Sequence, residues 1–557
     1  KDTYLDSYQS VMLLEEALAN DGLPSQYSAA DIEMYRKSVA GQLSGLDALL
    51  YPNVDWYDEV LKSSAPAQRY NASVRGGTKR MRYYASLEYY NQGSLFKELS
   101  NDPYGNPSSL HYRRYGFRAN ADFFLSKDLT LSVNFGTRFE ERKGPNSREE
   151  DKHSEIYYQA NHIPGWLFPV AYQAQNGETT KTLYAGTSQY QLNPYAILAE
   201  SGYYKGVNTV NETNFIADYK MDWLTPGLSA RAMMSFDYEN YHRSLYSKSF
   251  ATYELMKDNN GVPYDPTSID SYNRFNSDGT LAHSRSSFTL YKLYMEAQLN
   301  YKRIFNQVHD VTAMVLYMQN DFRRQSELAH RYQGVVGRVT YGYDNRYLAE
   351  INVGYNGSEN FAKGRRFGFF PAFSLGWRIA QESFMENTRN WLDNLKLRAS
   401  YGQVGNDSYS QRFLYEQKWS QIGNDYYFGT SGQTGIFEQQ YPNYAVTWER
   451  AHKYNVGLEF GLFNSTLTGN IDYFYEKRND ILTEYLTRPW WFGVYSAAGN
   501  LGKTTNQGYE IELHYNNSIG RDFNYSVGLT YSHAKNKIVA MDEPANKTGY
   551  RKREGHA

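Results

Sequence analysis

The sequence predicts an all-β protein that crosses a membrane as an antiparallel β-barrel. Three observations predict this fold: strands in which apolar and polar residues alternate, connections that are alternately tight and long, and an unusual tyrosine content. The 557 residues include 55 tyrosines and 28 phenylalanines. A tyrosine suits the boundary between lipid and water, because its ring prefers the acyl region and its hydroxyl group prefers water.

The alternation is clearest between Tyr115 and Gly144. One face carries Tyr115, Phe117, Ala119, Ala121, Phe123 and Leu125, and the other carries Gly116, Arg118, Asn120, Asp122 and Phe124. Period-two alternation over this length predicts a β-hairpin with an apolar face and a polar face. Unpaired charges are costly in a dry core, so we expect the apolar face to contact lipid. The polar face, with Arg118, Asp122 and later Asp472, is then expected to line a wet lumen.

The same pattern predicts sixteen strands: 67–75, 80–92, 112–125, 129–142, 209–224, 228–242, 286–304, 309–323, 331–343, 347–355, 369–379, 395–404, 448–462, 465–482, 507–517 and 523–534. Tight turns alternate with long connections at 93–111, 143–208, 243–285, 356–368, 405–447 and 483–506. Short turns on one side and long loops on the other are typical of an outer-membrane barrel. We therefore expect the turns on the periplasmic side and the loops outside the cell.

Three segments depart from the strand pattern and predict helices at 5–19, 29–39 and 381–394, with Ser28 as the N-cap of the second. We interpret residues 1–66 as a helical extracellular excursion of the barrel. Residues 67–557 then form the transmembrane hairpins of an incomplete barrel. The first residues, "KDTYLDSYQSV", have neither a basic nor an apolar region of a signal peptide.

Composition excludes several classes of function. A net charge of -2 argues against a nucleic-acid partner, which requires a clustered basic face. The chain has no Cys, and no apolar run approaches the ~18 residues of a membrane helix. The segment Lys257–Pro266 has oxygen donors beside a glycine, but their spacing fails the EF-hand template. We find no nucleophile elbow, phosphate loop or His-rich cluster, so we assign no catalytic residue, metal ligand or cofactor.

Several stretches are similar to those of a known family. "YPNVDWYDEVLKSSAPAQRYNASVRGGTKRMRYYASLEYYNQG" and "GRVTYGYDNRYLAEINVGYNGSENFAKGRRFGFFPAFSLGWRI" begin at Tyr51 and Gly337. "LKLRASYGQVGND", "WERAHKYNVGLEFGLFNSTLTGNIDYFYEKRNDIL" and "GNLGKTTNQGYEIEL" begin at Leu395, Trp448 and Gly499. In this order they resemble the SusC/RagA family, the TonB-dependent outer-membrane transporters of Gram-negative, Bacteroidetes-type bacteria.

The resemblance implies a 22-stranded barrel filled by an N-terminal plug. It implies a SusD-like surface lipoprotein as a lid, the TonB complex as the energy source acting through the plug, and a dimer of importer–lipoprotein pairs. We see no plug or TonB box in this sequence. An open barrel would leave unpaired backbone groups in lipid, so we expect an internal fragment, with one strand before Lys1 and about five after Ala557.

Loop aromatic residues are the candidates for substrate contact. They are Trp166, Phe168 and Tyr172 in "HIPGWLFPVAY", Tyr203 and Tyr204, and Trp490 and Trp491 in "TRPWWFGVY". The alternative for each is packing within its loop or contact with the lid lipoprotein. The predicted lumen residues Arg118, Asp122 and Asp472 have two readings, contact with substrate or a salt-bridge network with the plug, and we favour the network.

The leading hypothesis is active import of oligosaccharides across the outer membrane, with the driving force supplied by TonB. Import of oligopeptides and passive diffusion through a porin are the alternatives. A secreted β-rich carbohydrate-binding protein or glycosidase is a third, but its strands would need polar outward faces, and a glycosidase needs two converging carboxylates.

Overall fold

The computed structural model of the chain describes residues 5–99, 109–146 and 153–557. Its main element is one antiparallel sheet of 16 strands, in which each strand pairs with its neighbours along the chain. The strands are β1 (Ala67–Gly77), β2 (Met81–Gln92), β3 (His111–Phe124), β4 (Leu129–Pro145), β7 (Gly202–Lys220), β8 (Leu228–Ser247), β11 (Ala282–Phe305), β12 (His309–Arg324), β13 (His330–Tyr343), β14 (Tyr347–Ser358), β15 (Phe367–Arg378), β16 (Leu392–Asn406), β19 (Glu449–Leu462), β20 (Leu467–Thr483), β22 (Gly499–Ile519) and β23 (Phe523–Ala540).

These sixteen strands correspond one to one with the sixteen predicted from the sequence, so the predicted strand order is confirmed. The largest differences are extensions toward the long loops: β7 begins at Gly202 rather than at 209, and β22 begins at Gly499 rather than at 507. Both extensions contain glycines and polar residues that interrupt the alternation. Cross-strand hydrogen bonds continue through them because neighbouring strands continue as well.

The register keeps the two faces of the sheet separate. Tyr115 lies opposite Tyr89 and Phe139, whereas Arg118 lies opposite Ser86 and Gly136. We call the side that carries Tyr115 the apolar face and the side that carries Arg118 the polar face. The apolar face is exposed: Leu87 keeps 60% and Leu375 keeps 66% of its surface accessible. A water-soluble sheet buries such a face, so this sheet has the polarity expected in lipid.

The connections divide the sheet into two ends. At the tight-turn end the chain reverses through left-handed residues, such as Asn306 and Gln307 with φ of 49° and 61°. The long-loop end holds the remaining connections. One of these is short, residues 325–329 between β12 and β13, and one connection at the tight-turn end is long, residues 379–391.

The predicted helix at 381–394 is wrong. The chain there forms two 3-10 segments, Ile379–Gln381 and Ser383–Thr388, and enters β16 at Leu392. Glu382 fixes this path, because its carboxylate accepts hydrogen bonds from Trp377 at 3.0 Å and from Arg346 at 3.1 Å. These contacts tie the segment to the ends of neighbouring strands, and only short helical turns fit between them.

The other elements lie before β1, in the long connections or after β23. The helices are α1 (Ser7–Asn20), α2 (Ala29–Val39), α3 (Gly45–Leu50), α4 (Trp56–Val60), α5 (His153–His162) and α6 (Pro194–Glu200). The short strands are β5 (Ala171–Asn176), β6 (Thr179–Tyr184), β9 (Thr252–Leu255), β10 (Tyr272–Phe275), β17 (Lys418–Phe428), β18 (Ser431–Tyr441) and β21 (Tyr495–Ser496). Further 3-10 turns are Ile269–Ser271, Trp490–Phe492 and Gly549–Arg551. Among the described residues, no helix is long and apolar enough to span a bilayer.

The predicted helices 5–19 and 29–39 are confirmed as α1 and α2, and Ser28 is the N-cap of α2. The Ser28 Oγ accepts from the Asp31 backbone N–H at 3.2 Å, and the Asp31 carboxylate accepts from the Ser28 N–H at 2.9 Å. This reciprocal pair satisfies two N–H groups that have no partner within the helix.

Three hydrophobic clusters lie at the long-loop end. The first joins Trp56 of α4 to Phe168, Tyr172 and Leu183 of the connection between β4 and β7. The second centres on α6 and includes Val60 and Phe96, and the third gathers Phe361, Trp448 and Leu482. The segment before β1 thus packs against the connections at this end of the sheet.

Candidate functional site

An ion-pair network on the polar face links four charged side chains of the sheet. Arg398 of β16 donates to Glu459 at 2.9 Å, to Asn455 at 3.1 Å and to Asp472 at 2.7 Å. Lys396 donates to the same Glu459 at 3.1 Å. We call Lys396, Arg398, Glu459 and Asp472 the Arg398 network. It joins three consecutive strands on the polar face.

Glycine gives this network its space. A Cβ atom at position 457 would lie 2.7 Å from both Arg398 Cζ and Asp472 Oδ1, so a larger residue would force the ion pair apart. Asp472 Oδ1 is buried and has no hydrogen-bond partner, although Oδ2 accepts from Arg398.

Arg118 and Asp122 lie on the polar face as predicted. Asp122 accepts a hydrogen bond from Ser132 at 2.7 Å and lies 3.8 Å from Arg82. Arg118 borders a cavity of about 410 Å³ together with Glu88, Arg138 and Glu212. The neighbouring ion pair, Arg114 with Glu88 at 2.6 Å, extends the charged wall toward the long-loop end.

The aromatic residues of the β4–β7 connection that were predicted to contact substrate are packed against other parts of the long-loop end. Phe168 and Tyr172 are buried in the first hydrophobic cluster, where Phe168 packs edge-on against Trp56 at 5.8 Å. Burial raises the pKa of the Tyr172 hydroxyl group. The half-buried Trp166 donates its indole N–H to the Tyr27 hydroxyl at 3.1 Å, and its carbonyl oxygen accepts from Tyr35 at 3.2 Å. Substrate contact by these three residues stays a prediction that requires their neighbours to separate.

Tyr203 and Tyr204 are also buried, at the beginning of β7. Tyr203 stacks on Tyr246 at 4.6 Å on the apolar face. Tyr204 lies on the polar face with the Arg243 guanidinium 5.0 Å from its ring centre. Their contact with substrate stays a prediction too.

The last candidate pair lies in the connection between β20 and β22. The Trp491 side chain is 74% exposed, whereas the side chain of Trp490 lies outside the described part of the chain. Beside Trp491, Phe492 packs edge-on against Tyr441 at 6.2 Å, and the Arg488 guanidinium lies over the rings of Tyr485 and Phe492. We call Tyr441, Tyr485, Trp491 and Phe492 the loop aromatic surface. The side chains of Tyr441, Trp491 and Phe492 are exposed, and that of Tyr485 is half-buried.

Alternation puts Glu459 on the polar side of its strand, but sequence reasoning missed its partners Arg398 and Lys396, although the signal was present. Both occupy polar positions of an alternating strand, and both would have been found by aligning consecutive hairpins from their turns. It also missed the exposed Trp419 and Phe428 on the hairpin β17–β18, because the loop strands were not predicted.

The chemistry of these groups is that of binding. Within residues 5–99, 109–146 and 153–557 no group of three or more His, Cys, Asp or Glu side chains is arranged to hold a metal ion. The carboxylates of the Arg398 network accept hydrogen bonds from Arg398 and Lys396. The charged wall and the aromatic surface therefore offer hydrogen bonds and ring faces to a polar ligand.

Comparisons with known proteins agree with this geometry. The family described as "TonB dependent receptor-like, beta-barrel" matches residues 157–552. TonB-dependent receptor P26 of Formosa agariphila is 26% identical over 509 residues, which are 89% of this chain and 48% of that protein. TonB-dependent receptor SusC of Bacteroides thetaiotaomicron is 24% identical over 540 residues, 88% of this chain and 48% of that protein. The chain spans about half the length of the curated relatives it matches.

A similar fold occurs in the RagAB peptide importer in its closed-closed state, with a TM-score of 0.70 and 18% identity over 100% of this chain and 61% of that chain. A further RagAB structure gives a TM-score of 0.66 with 18% identity, over 97% and 59% of the two chains. The predicted all-β transmembrane class and the predicted resemblance are thereby confirmed. Since the family match covers more than half of the sequence, the chain belongs to the TonB-dependent receptor-like β-barrel family of the bacterial outer membrane.

Proposed function

We propose that this chain is the central barrel portion of an active importer that takes up oligosaccharides across the outer membrane. The observation that carries the proposal is the polarity of the 16-stranded sheet, with apolar side chains exposed on one face and ion pairs on the other. The apolar face contacts lipid, and the polar face lines the transport path. Membership of a TonB-dependent receptor family supports energy coupling over passive diffusion through a porin.

The two edges of the sheet support a larger barrel. Strand β1 pairs only with β2, and β23 pairs only with β22, among the described residues. Edge strands in lipid leave N–H and C=O groups without partners, which costs several kcal/mol for each group. We propose that strands outside this chain close the barrel and that a plug outside it occupies the lumen. The Arg398 network and the wall around Arg118 then hold the plug through charged hydrogen bonds.

The substrate class rests on the loop aromatic surface. Aromatic faces stack on sugar rings, and Trp491 offers the most exposed ring of this group. The relative named SusC supports a nutrient importer of this type. The alternative substrate is an oligopeptide, which the name of the RagAB peptide importer favours and whose charged ends suit the Arg398 network.

We propose that the partners are a SusD-like surface lipoprotein as a lid, the TonB complex acting through the plug, and a second importer–lipoprotein pair. The long-loop end supports a lid, because its connections form a packed layer with the segment before β1. That packing also supports an extracellular position for residues 1–66.

The orientation is tested by labelling single cysteines from outside intact cells. The chain has no Cys, so Ser25→Cys, Ser431→Cys and Ser126→Cys can each be introduced into a cysteine-free version of the full-length protein. We expect a membrane-impermeant maleimide to label positions 25 and 431, but to reach 126, in the turn after β3, only after the cells are opened. Labelling of 126 from outside would contradict the orientation.

The function is tested by uptake of labelled oligosaccharides and labelled peptides in cells with and without TonB. We expect oligosaccharide uptake that requires TonB and co-purification of a lipoprotein. Trp491→Ala is expected to weaken oligosaccharide binding about ten-fold, and Tyr444→Ala, at a similarly exposed aromatic residue, serves as the matched control. Peptide uptake alone would establish the alternative substrate, and uptake without TonB would establish a porin.

A further inference from the structure

Two arginines on the polar face lie over tyrosine rings near the long-loop end. The guanidinium carbon of Arg142 is 5.3 Å from the ring centre of Tyr112. That of Arg243 is 5.0 Å from the ring centre of Tyr204. A guanidinium stacked on a ring keeps its N–H groups in its own plane, where they can donate hydrogen bonds to a further group.

The two arginines also lie in one row of the sheet. The register places Arg142 of β4 opposite Gly206 of β7, and Gly206 opposite Arg243 of β8. Neighbouring strands are about 4.8 Å apart, so the two arginine backbones are separated by about 10 Å with a glycine between them. Arginine side chains are long enough to converge on one small group above Gly206.

Arg243 has one edge without a partner. Its Nε and Nη2 atoms are buried and have no hydrogen-bond acceptor. In the part of the chain that the structure describes, no carboxylate oxygen lies within 4.0 Å of this guanidinium. Nε and Nη2 share one edge of the group, and their parallel N–H groups match the two oxygens of a carboxylate. Because a buried charged donor without an acceptor is costly, this edge suits an anion from a ligand.

Arg142 is exposed, and the carboxylate near it belongs to Glu140. One oxygen of Glu140 is 3.9 Å from Arg142, whereas the other is 2.8 Å from Arg138. A separation of 3.9 Å is too long for a hydrogen bond, so Glu140 is bonded to Arg138. The Arg142 guanidinium can therefore donate to a ligand.

The same patch offers an acceptor and a phenol group. Asn208, on the same strand and face as Gly206, has a buried Oδ1 without a donor, while its Nδ2 donates to Glu239 at 3.0 Å. Tyr241 lies opposite Asn208 and reaches over Gly206, where a Cβ atom would lie 2.8 Å from the Tyr241 hydroxyl oxygen. The donors of this patch suit a carboxylate, and its acceptor suits a hydroxyl group. We call the following residues the arginine site: Arg142, Gly206, Asn208, Tyr241 and Arg243.

We propose that the arginine site binds a carboxylate-bearing sugar unit, such as a uronate, of the imported oligosaccharide. The exposed Arg142 meets the carboxylate first, and Arg243 turns its covered Nε–Nη2 edge toward Gly206 to complete the contact. A hydroxyl group of the same sugar donates to Asn208. A neutral sugar leaves the Arg243 edge without an acceptor, so the site favours anionic oligosaccharides. The inference rests on the proposed import of oligosaccharides and specifies the charge of the substrate.

The test measures binding of two oligosaccharides of equal length, one with uronate units and one neutral, to the full-length protein in mild detergent. The variant combines Arg142→Gln and Arg243→Gln. The matched control is Arg231→Gln, on the same strand and face as Arg243 but near the tight-turn end. We expect the double variant to bind the uronate oligosaccharide about 100-fold more weakly, about ten-fold for each arginine, and the control to equal the unmodified protein. The neutral oligosaccharide should bind all three proteins equally, and a heat-modifiability gel verifies that each is folded.

Three outcomes overturn the inference. In the first, the double variant binds the uronate oligosaccharide as tightly as the control does. In the second, it loses the same affinity for the neutral oligosaccharide, which indicates that the arginines support the structure and do not recognise charge. In the third, the unmodified protein binds a peptide with a free C-terminal carboxylate and no uronate oligosaccharide, which assigns the site to peptides.

Failure of this inference is distinguishable from failure of the proposed function. TonB-dependent uptake of the neutral oligosaccharide together with no binding of the uronate oligosaccharide overturns the inference alone. Absence of binding and uptake of both oligosaccharides overturns the proposed oligosaccharide import, and this inference with it.

Discussion

The sheet and the long-loop end of this molecule treat apolar side chains in opposite ways. In the sheet, Leu87, Leu375 and Val456 are exposed, whereas Arg398 and Asp472 are hydrogen-bonded on the opposite face. At the long-loop end, Trp56, Ile156 and Leu198 are fully buried in clusters like those of a soluble domain. The comparison shows that the sheet exposes apolar side chains, as suits lipid, whereas the long-loop end buries them, as suits water.

The boundary between these two regions is also visible in single strands. Strand β4 carries Val133 and Phe135 at outward positions near its middle, then Glu141 and Lys143 near its end at the long loops. The mean hydropathy of the chain is -0.71, because the average combines lipid-facing, lumen-facing and loop residues. An average therefore cannot identify either environment, but the alternation within each strand can.

The largest expected effect is the loss of a buried aromatic side chain at the long-loop end. Trp56→Ala should destabilise the first hydrophobic cluster by about 3–5 kcal/mol, because it removes a fully buried ring and leaves a cavity. Trp56→Phe should cost much less, since it keeps the ring and deletes an indole N–H that has no partner. Hydrogen exchange of residues 45–61 in the full-length protein measures both changes. Equal losses of protection in the sheet would contradict two separately stabilised regions.

The next effect tests the lipid-facing side of the sheet. Phe117→Lys should destabilise the protein in bilayers by about 2–4 kcal/mol, because it places a charge near the middle of the apolar face. Arg118→Lys, one residue further along, keeps a charge on the polar face and should change the free energy of unfolding by less than about 0.5 kcal/mol. Urea titration in lipid vesicles, followed by the heat-modifiable gel shift, compares them. A tolerated lysine at 117 would place this face in water.

Loss of a charge from the Arg398 network should destabilise the protein less than Phe117→Lys does. A second substitution in the network should restore part of the lost stability. Arg398→Met removes a charged hydrogen bond from Asp472, which is worth about 1.5–3 kcal/mol when the group is largely shielded from water. Adding Asp472→Asn should recover part of the loss, because it removes the carboxylate left without a cation. The same urea titration gives the coupling energy of the two changes. Additive losses would mean that the two side chains do not act as a pair.

The smallest effect is a pH dependence of α2 at the long-loop end. Hydrogen bonds from Ser28 and Tyr51 lower the pKa of Asp31 below its ordinary value of 3.8. The charged carboxylate therefore stabilises the helix above pH 3.8, and this stabilisation is lost as the pH falls through the lowered pKa. Hydrogen exchange of residues 29–39 should differ between the unmodified protein and Asp31→Asn at neutral pH, and the difference should vanish as the pH falls through the lowered pKa. A constant difference would contradict this assignment.

The 16-stranded sheet was predictable because every hairpin has the same pattern of alternating residues and turn residues. Alternation between two faces, together with turn residues such as Asn306 and Asn345, fixed all sixteen strands of the sheet. The long loops follow no such repeat, and the strands β5, β6, β9, β10, β17, β18 and β21 were not predicted. The pairs β5–β6 and β17–β18 are local hairpins, whereas β21 pairs with β18 and residue 175 bridges residue 268 across long stretches of sequence.

The candidate site was predictable in type but not in position. Alternation puts Arg118, Asp122 and Asp472 on one face of the sheet, and their position in a wet lumen stays a prediction. The loop aromatic residues have no such marker, since a ring that anchors a loop and a ring that meets a ligand look alike in sequence. Phe168 lies in the run Leu167, Phe168 and Val170, and such an apolar run within a loop indicates a local core. Trp491 also lies in an apolar run, between Trp490 and Phe492, and yet its side chain is 74% exposed, so the run alone does not separate the two cases.

The most direct test of the account is the environment of successive positions along β3 in a bilayer. Spin labels are attached to cysteines at 118, 119, 120 and 121 of the full-length protein, and their collision rates with oxygen and with a water-soluble nickel complex are measured. We predict that 119 and 121 favour oxygen, as lipid-facing sites do, and that 118 and 120 favour the nickel complex. Preference for the nickel complex at 119 and 121 would contradict a lipid-facing apolar face, and with it the barrel.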